Sequence, residues 1–511
     1  MAKSLRELLE RNAAAAPDEV VVKAGTEEIT WAQLRDGARR VASALARDGV
    51  APQDRVVYIG KNDLRFFEVL FGCALAGAVI VPVNWRLARD EVTAIVADAG
   101  AKVAFVDTSV VSSLDAGPGT VVALGDHDRW APYADWRGPA EDPGVAAEPD
   151  HIAFQLYTSG TTGRPKGAMF ANGTNLRVLL EAISVEWGFT ENDVSLVALP
   201  LFHMGGLAWA LAGMARGARA IVVRDFDPPA IADTMERDGV TVAFFVPAML
   251  SAICAVPGIG DRDTKLGRVF YSGAPISPTA LTRAMAALHC DFVQIYGLTE
   301  ATGAFAQLPA HEHDPHGLLE HLLLSAGRPY PWVEVRVVSM ADERDVPVGE
   351  VGEIWTRSQQ NLVGYWNDPE RTAQVLTADG WLRTGDLGRV DASGHIFLVD
   401  RAKDLVISGG ENVYPVEVEN VLAAHPQIAE VAVIGVPHER WGETVKAIVV
   451  PRAGEAVDEE EVIAFVRRRL AKFKCPTSVE VAATLPRTAT GKVLKHVLRE
   501  PYWRGYDRRI N

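Results

Sequence analysis

With 511 residues the chain is too long for a single hydrophobic core, so two or more domains are expected. A hydrophobic share of 48% and a charged share of 23% exclude a disordered chain. The net charge of −15, from 51 basic and 66 acidic residues, argues against a nonspecific nucleic-acid binder and against a polybasic membrane anchor. Cys73, Cys254, Cys290 and Cys475 are scattered and lack metal or CxxC spacing, which points to a reduced, cytoplasmic enzyme.

Residues 1–20 carry charges at helical spacing and no continuous apolar core, so no signal peptide is expected. The most apolar run, Val69 to Val83, is interrupted by Gly72, Gly77 and Pro82. It reads as a buried helix followed by a strand, not as a membrane span. Up to about Ala326, short apolar strands alternate with helical segments. The strands are Val56–Ile59, Val79–Val83, Val103–Val106, Leu196–Leu199, Ala220–Val223, Val242–Val246 and Phe292–Tyr296; the helices include Asp90–Ala99, Pro229–Asp238 and Pro278–Leu288. That alternation predicts an α/β domain of parallel-rich sheets covered by helices. Asp135 to Asp150, rich in Pro and acid, reads as a surface linker.

The linker leads into Tyr157-Thr158-Ser159-Gly160-Thr161-Thr162-Gly163-Arg164-Pro165-Lys166-Gly167. An apolar strand-like run, Ile152 to Tyr157, precedes this stretch, and a helical pattern begins near Asn172. Its glycines let backbone N–H groups approach a ligand, its hydroxyls add donors and Lys166 adds positive charge: the chemistry of a phosphate cradle. It is not the P-loop of NTPases, because Lys166 stands three residues beyond Gly163 and is followed by glycine. His203, in Leu199-Pro200-Leu201-Phe202-His203-Met204-Gly205-Gly206, ends a strand and opens a helix. Ser272-Gly273-Ala274-Pro275 and Gln294-Ile295-Tyr296-Gly297-Leu298-Thr299-Glu300 each follow an apolar strand, where open α/β sheets bind ligands. Tyr296 can stack on a purine, Thr299 can hydrogen-bond a phosphate and Glu300 can hold Mg²⁺ through oxygen.

Beyond Gly327 the texture changes to short β-like runs, Val333–Val338, Gly352–Thr356 and Ile396–Val399, predicting a small β-rich subdomain over about 327–400. From Arg401, helical Pro415–Ala424 and Glu459–Ala471 alternate with strand-like Val431–Val436, Val445–Val450 and Val479–Ala482, a small α+β domain over 401–511. The boundary is expected in Asp400-Arg401-Ala402-Lys403-Asp404, which has no strong helical or strand period. His311, His313 and His316, with His321 beyond and Glu312, Asp314 and Pro315 interleaved, read as a polar loop in preference to a zinc site. Asp458-Glu459-Glu460-Glu461 reads as an acidic helix start complementing the dipole.

These motifs, in this order, resemble those of the AMP-forming adenylating enzymes: acyl-CoA synthetases, adenylation domains of peptide synthetases, and luciferases. The resemblance runs from the first helix to Lys492 and is nearest in look to bacterial fatty-acyl-CoA and 4-coumarate or feruloyl-CoA ligases. It implies ATP-dependent conversion of a carboxylic acid to acyl-AMP, then thioester formation with CoA, with Mg²⁺ required. Residues 1–400 would form the adenylate-forming domain and residues 401–511 a mobile domain hinged at Lys403.

By the same resemblance, Thr158, Ser159, Gly160, Thr161, Thr162, Gly163 and Lys166 would serve the phosphates. Ser272, Gly273, Ala274, Pro275, Gln294, Tyr296 and Thr299 would complete the nucleotide site, and Asp386, in Thr384-Gly385-Asp386, and Arg401 would hold the ribose. Glu300, with Thr158, would hold the metal. Lys492, in Leu485-Pro486-Arg487-Thr488-Ala489-Thr490-Gly491-Lys492, would stabilise charge between carboxylate and α-phosphate, making it the catalytic lysine alongside His203, Thr299 and Glu300. Gly409 and Gly410, in Ser408-Gly409-Gly410-Glu411-Asn412, would contact CoA; Trp441, in Arg440-Trp441-Gly442-Glu443, reads equally as a CoA contact or as a core-packing aromatic.

Pocket walls inferred from position are His203, Met204, Gly205, Trp209, Phe245, Tyr271, Ser272, Thr302 and Gly303; none of these except His203 is titratable near neutrality, favouring an apolar or aromatic acid. The expected partner is a small-molecule carboxylic acid, with no nucleic acid and no integral membrane segment, and with a homodimer left open. Transfer to a carrier-protein thiol or an amine, or activation of an unusual small acid, is the alternative. A non-catalytic adenylate-binding protein is opposed by the intact Lys166, Glu300, Asp386 and Lys492.

Overall fold

A computed structural model describes residues 2–111, 114, 117–158, 165–274, 276–401, 404–408, 411–438, 441–488 and 491–504. Contacts divide the chain into two compact units: Met1–Ser272 with Ala284–Ala310 and Arg357–Leu382, and Gly273–Arg283 with His311–Thr356 and Arg383–Asn511. The β-rich segment expected at 327–400 is thereby grouped largely with the C-terminal residues.

The first unit holds two sheets. One runs, strand beside strand, Glu27–Thr30, Val20–Ala24, Arg219–Val222, Val194–Val197, Val242–Phe245, Arg268–Tyr271, Asp291–Leu298 and Gly303–Leu308. Its interior pairs are parallel, and the pairs at Glu27–Thr30 and Gly303–Leu308 are antiparallel. The other runs Ala131–Pro132, Thr120–Ala123, Val103–Val106, Arg55–Ile59, Val79–Val83, Ile152–Thr158, Lys166–Ala171 and Gly364–Tyr365. Arg55–Ile59 and Val79–Val83 are buried at every position, as strands covered on both faces must be.

The apolar run from Val69 divides as expected. The helix Leu64–Ala76 is capped by the Asp63 carboxylate, which accepts from the Arg65 amide at 2.9 Å, and ends at Gly77 in the left-handed region (φ 69°) before the strand begins. Gly72 has a packing reason: a Cβ there would lie 2.5 Å from Val41 Cγ1 and 3.0 Å from the Ala38 carbonyl, so its absence lets this helix press onto Trp31–Arg47. That partner helix starts with a reciprocal cap between Thr30 and Gln33.

The helical pattern expected near Asn172 starts there as a π-helical turn, Asn172–Leu176, and an antiparallel strand that was not expected, Lys166–Ala171, pairs with Ile152–Thr158 before it. The strand expected at Phe292–Tyr296 extends from Asp291 to Leu298, so only Thr299 and Glu300 of the Gln294–Glu300 motif follow it. Within the expected linker, Asp135 and Trp136 belong to a short helix, Tyr133–Trp136, whose tryptophan is buried against Phe105.

In the second unit, Glu334–Val338, Gly352–Arg357, Leu382–Val390 and Ile396–Arg401 form a four-stranded sheet. The last strand runs through Asp400 and Arg401, so the segment expected to lack regular structure begins as strand. The histidine-rich stretch is not simply a solvated loop: Glu312 and His313 are buried, and the Glu312 carboxylate meets His395 Nε2 at 3.0 Å and the Arg328 guanidinium. A second sheet joins Glu411–Val413, Val406–Ser408, Gly442–Pro451 and Ile428–His438, with Ser478–Val481 beside Gly442–Pro451. The helices Pro415–Ala423 and Glu459–Arg467 cover it through Val418, Leu422, Val462 and Val466, fully buried with Val433 and Val445. Asp458 caps the latter by accepting from the Glu461 amide at 2.9 Å. Among the described residues, no helix is long and apolar enough to cross a membrane, and the four cysteines are free thiols.

Candidate active site

The phosphate stretch is bracketed by an antiparallel pair in which Thr158 stands opposite Lys166. Ser159, Gly160, Thr161, Thr162 and Gly163 lie outside the described residues. Lys166 begins the strand Lys166–Ala171, and the next strand across, Gly364–Tyr365, pairs with it through Tyr365 and Ala168. Tyr365 is buried. The Lys166 ammonium lies 5.0 Å from the centroid of its ring, and its hydroxyl donates to Glu300 Oε1 at 2.8 Å. Burial, then the Glu300 charge and the hydrogen bond to it, raise the Tyr365 pKa, keeping the phenol protonated as a donor. Oε2 of Glu300 has no partner among the described residues. One carboxylate oxygen is therefore anchored and the other is open, as a cation ligand needs to be.

Glu300 follows a close strand pairing that only glycine permits. A Cβ on Gly297 would sit 1.7 Å from the Gly303 carbonyl oxygen, where Asp291–Leu298 and Gly303–Leu308 pair tightly around the turn. Thr302 lies in the left-handed region (φ 54°), unusual for a β-branched residue. It is fully buried, and its hydroxyl donates to the Gln360 carbonyl at 2.5 Å and accepts from Asn175 Nδ2 at 3.1 Å. Asn175 Nδ2 also reaches the carbonyls of Gln360 and Asn361, at 2.9 and 2.7 Å, while Gln360 Nε2 donates to those of Ala301 and Ala304. This buried polar network fixes the Thr299–Ala301 turn that carries Glu300. Sequence reading missed Tyr365, Asn175 and Gln360; a polar Asn at a buried helical position was the available signal.

Of the residues expected to face the acid, His203 is the N-cap of the helix Met204–Ala215. Its Nε2 is buried and has no hydrogen-bond partner among the described residues. Burial first, then the nearby Arg86 charge, lower its pKa to about 4, so the ring is neutral at pH 7. A buried orphan nitrogen of this kind is available to a ligand. Met204 and Ala208, one turn apart, face Gly303: a Cβ on that glycine (φ 96°) would lie 3.6 and 3.7 Å from them. Gly206 must lack a side chain, since a Cβ would stand 2.2 Å from the Pro200 carbonyl. For Gly205 the same atom would make ordinary contacts with Phe244 and Leu199.

Phe245, Tyr271 and Gln294 are successive neighbours across three strands, and the Tyr271 hydroxyl donates to Gln294 Oε1 at 3.3 Å. Ser272 follows the end of the middle strand. Trp209 is buried in a cluster with Trp187, Phe189, Phe244 and Phe270, its indole N–H donating to the Leu196 carbonyl at 3.0 Å. Five residues on from Met204, it faces that core while Met204 and Ala208 face Gly303. Tyr296 is also buried, its ring packed edge-on against Phe305 at 4.7 Å.

In the second unit, Asp386 and Arg401 are Cα partners in the ladder between Leu382–Val390 and Ile396–Arg401, so the two residues expected at a ribose share one register position. Asp386 is part of the strand; Gly385 (φ 71°) supplies the local irregularity, its amide donating to Glu353 Oε1. Lys492 follows Gly491 (φ 80°) on a tight turn, its amide donating to Thr488 Oγ1 at 3.0 Å. Arg487 grips the turn through the Gly491 carbonyl and ties it to Glu430 at 2.6 Å. Trp441 is exposed and stacks on His438, with ring centroids 4.5 Å apart. Gly273 (φ 89°) and Ala274 follow the Arg268–Tyr271 strand. Pro275, Lys403, Gly409 and Gly410 lie outside the described residues.

The AMP-binding enzyme family matches residues 9–366, and its C-terminal domain family matches residues 417–492. A fatty acid–[acyl-carrier-protein] ligase of Streptomyces coeruleorubidus is 40% identical, covering 94% of this chain and 93% of its own. A feruloyl-CoA synthase of an Amycolatopsis species is also 40% identical, covering 96% and 98%. Among solved structures, ATP-bound MatB of Rhodopseudomonas palustris superposes with a TM-score of 0.86 at 30% identity, covering 99% of this chain and 100% of that one. The chain belongs to the AMP-binding enzymes. Within them it is an AMP-forming acid–thiol ligase of the acyl-CoA synthetase type.

Proposed function

We propose that this ligase activates an uncharged apolar or aromatic carboxylic acid and transfers it to CoA. What supports this reading is that the residues expected at the acid pocket, Met204, Phe245, Tyr271 and Gly303, carry no formal charge, while burial and then the Arg86 charge keep His203 neutral at pH 7. The names of relatives agree in class, among them the feruloyl-CoA synthase and an indoleacetate–CoA ligase of Aromatoleum aromaticum, 37% identical. In the first half-reaction a carboxylate oxygen attacks the α-phosphorus of ATP, the bond to the bridging oxygen breaks, and pyrophosphate leaves. In the second, the CoA thiolate attacks the acyl carbon, its proton having gone to solvent, and AMP leaves.

Lys166, Thr158 and Thr299 bind the phosphates, Asp386 and Arg401 grip the ribose, and His203 places the carboxylate. Lys492 stabilises charge at the pentavalent phosphorus. Its turn, pinned by Thr488 and Arg487, supports a positioned cation. No three His, Cys, Asp or Glu side chains among the described residues gather as a metal site. Glu300, whose Oε2 is open, would hold Mg²⁺ with Thr158, and the ion would supply charge neutralisation to the triphosphate. Residues 401–511 turn about Lys403 between the half-reactions, and Gly409, Gly410 and Trp441 serve the pantetheine arm.

The test is pyrophosphate release with Mg·ATP across aryl, short-, medium- and long-chain acids, with and without CoA. CoA-dependent turnover on aryl or aliphatic monoacids is expected. Preference for malonate or succinate would overturn the substrate class. Adenylation discharged only by an acyl-carrier protein, the acceptor in the name of the Streptomyces relative, would move the acceptor.

A further inference from the structure

We infer that Tyr365 is a positioning residue that ties the metal end of the nucleotide site to its phosphate end. The inference rests on the assignment of Glu300 to the metal and Lys166 to the phosphates. A single side chain meets both: the hydroxyl donates to Glu300 Oε1 at 2.8 Å, and the ring lies under the Lys166 ammonium at 5.0 Å.

The ring is itself fixed. Tyr365 is 4% exposed, its amide donates to Thr372 Oγ1 at 2.9 Å, and its strand is paired to the strand that Lys166 begins. Asp368 caps the helix Pro369–Val375, which carries Thr372, and so closes the segment around the tyrosine. The Glu300 main chain is held from the same segment, its carbonyl accepting from the Leu362 amide at 2.7 Å. Backbone and carboxylate of Glu300 are thus both set by residues 362–365.

Two consequences follow from the chemistry of the pair. Anchoring Oε1 selects one rotamer of Glu300 and leaves Oε2 as the available lone-pair donor, so the metal need not pay the entropy of ordering the side chain. The phenol's hydrogen bond to a carboxylate pushes electron density into the ring, strengthening its attraction for the cation above it. Lys166 is then held near the loop without a carboxylate partner that would neutralise it; no ion pair to Lys166 occurs among the described residues.

Tyr365→Phe separates these roles, since it keeps the ring and removes only the hydroxyl. Binding of Mn²⁺ to the full-length protein with α,β-methylene-ATP, followed by the loss of the free-ion EPR signal, reads the metal directly. The Mn²⁺ dissociation constant is expected to rise by about tenfold, the low end of the range for losing a group that orients a metal ligand. The KM for the acid and the urea unfolding midpoint should stay close to wild type. Tyr365→Leu, which also removes the ring, should add a loss of affinity for metal-free α,β-methylene-ATP that the Phe variant does not show. Unchanged Mn²⁺ affinity in Tyr365→Phe, with wild-type ATP–pyrophosphate exchange intact, overturns this inference alone. No exchange in the wild type with any acid would overturn the proposed function itself.

Discussion

Replacing His203 with phenylalanine removes a titrating group from the acid-side wall while keeping a ring of similar size. Nε2 has no hydrogen-bond partner among the described residues, so its loss leaves no protein group unpaired. The histidine pKa falls from 6.5 in the unfolded chain to about 4 in the folded one, through burial and then the Arg86 charge. Between those values the unfolded chain binds the proton first, so wild-type stability is full above pH 6.5 and is lost as pH falls toward 4. The loss relative to pH 8 is on the order of 1 kcal/mol at pH 5.5 and grows to a few kcal/mol at pH 4. Urea unfolding at pH 8 and 5.5 measures it, followed by tryptophan fluorescence from the buried Trp187–Trp209 cluster of the same unit. His203→Phe should lose less stability than wild type between those pH values, by on the order of 1 kcal/mol. Parallel losses in the two proteins would refute the claim that His203 is held neutral.

Gly297→Ala should destabilise the first unit by about 3 kcal/mol or more and abolish adenylation, because its Cβ meets the Gly303 carbonyl at 1.7 Å and neither atom is on a flexible side chain. Gly205→Ala, with contacts no nearer than 3.4 Å, should fold normally; equal urea midpoints for the two variants would contradict this. Asn175→Ala removes the amide that donates to the Thr302 hydroxyl and to the carbonyls of Gln360 and Asn361. It should cost about 2–3 kcal/mol in unfolding free energy and raise the Mg²⁺ requirement of pyrophosphate exchange. A neutral effect on both would show that the network does not hold the Glu300 turn.

Much of this organisation was legible from sequence because apolar period and turn chemistry are local. The run from Val69 split into a helix and a strand at Gly77, the helix starts at Arg89 and Pro278 fell within a residue of their predicted positions, and His203 opened its helix. Lys166–Ala171 escaped because Lys-Gly-Ala-Met-Phe-Ala shows no alternation, being a strand buried between neighbours on both sides. Tyr365 escaped for a different reason. Its contact with Glu300 depends on a two-residue strand finding Ala168 and Met169, a pairing that no local pattern encodes. Trp209 shows the limit of reasoning from motif distance: it lies close to His203 in sequence, yet helical rotation turns it into the aromatic core.

The central claim is that one chain runs two half-reactions and that Lys492 belongs to the first. Both are measured in wild type and Lys492→Ala: ATP–pyrophosphate exchange with the best acid, and thioester formation from preformed acyl-AMP and CoA. Exchange should fall by about a hundredfold or more, while thioester formation from the adenylate stays near wild type. Equal loss in both half-reactions, or no loss in exchange, would contradict the account.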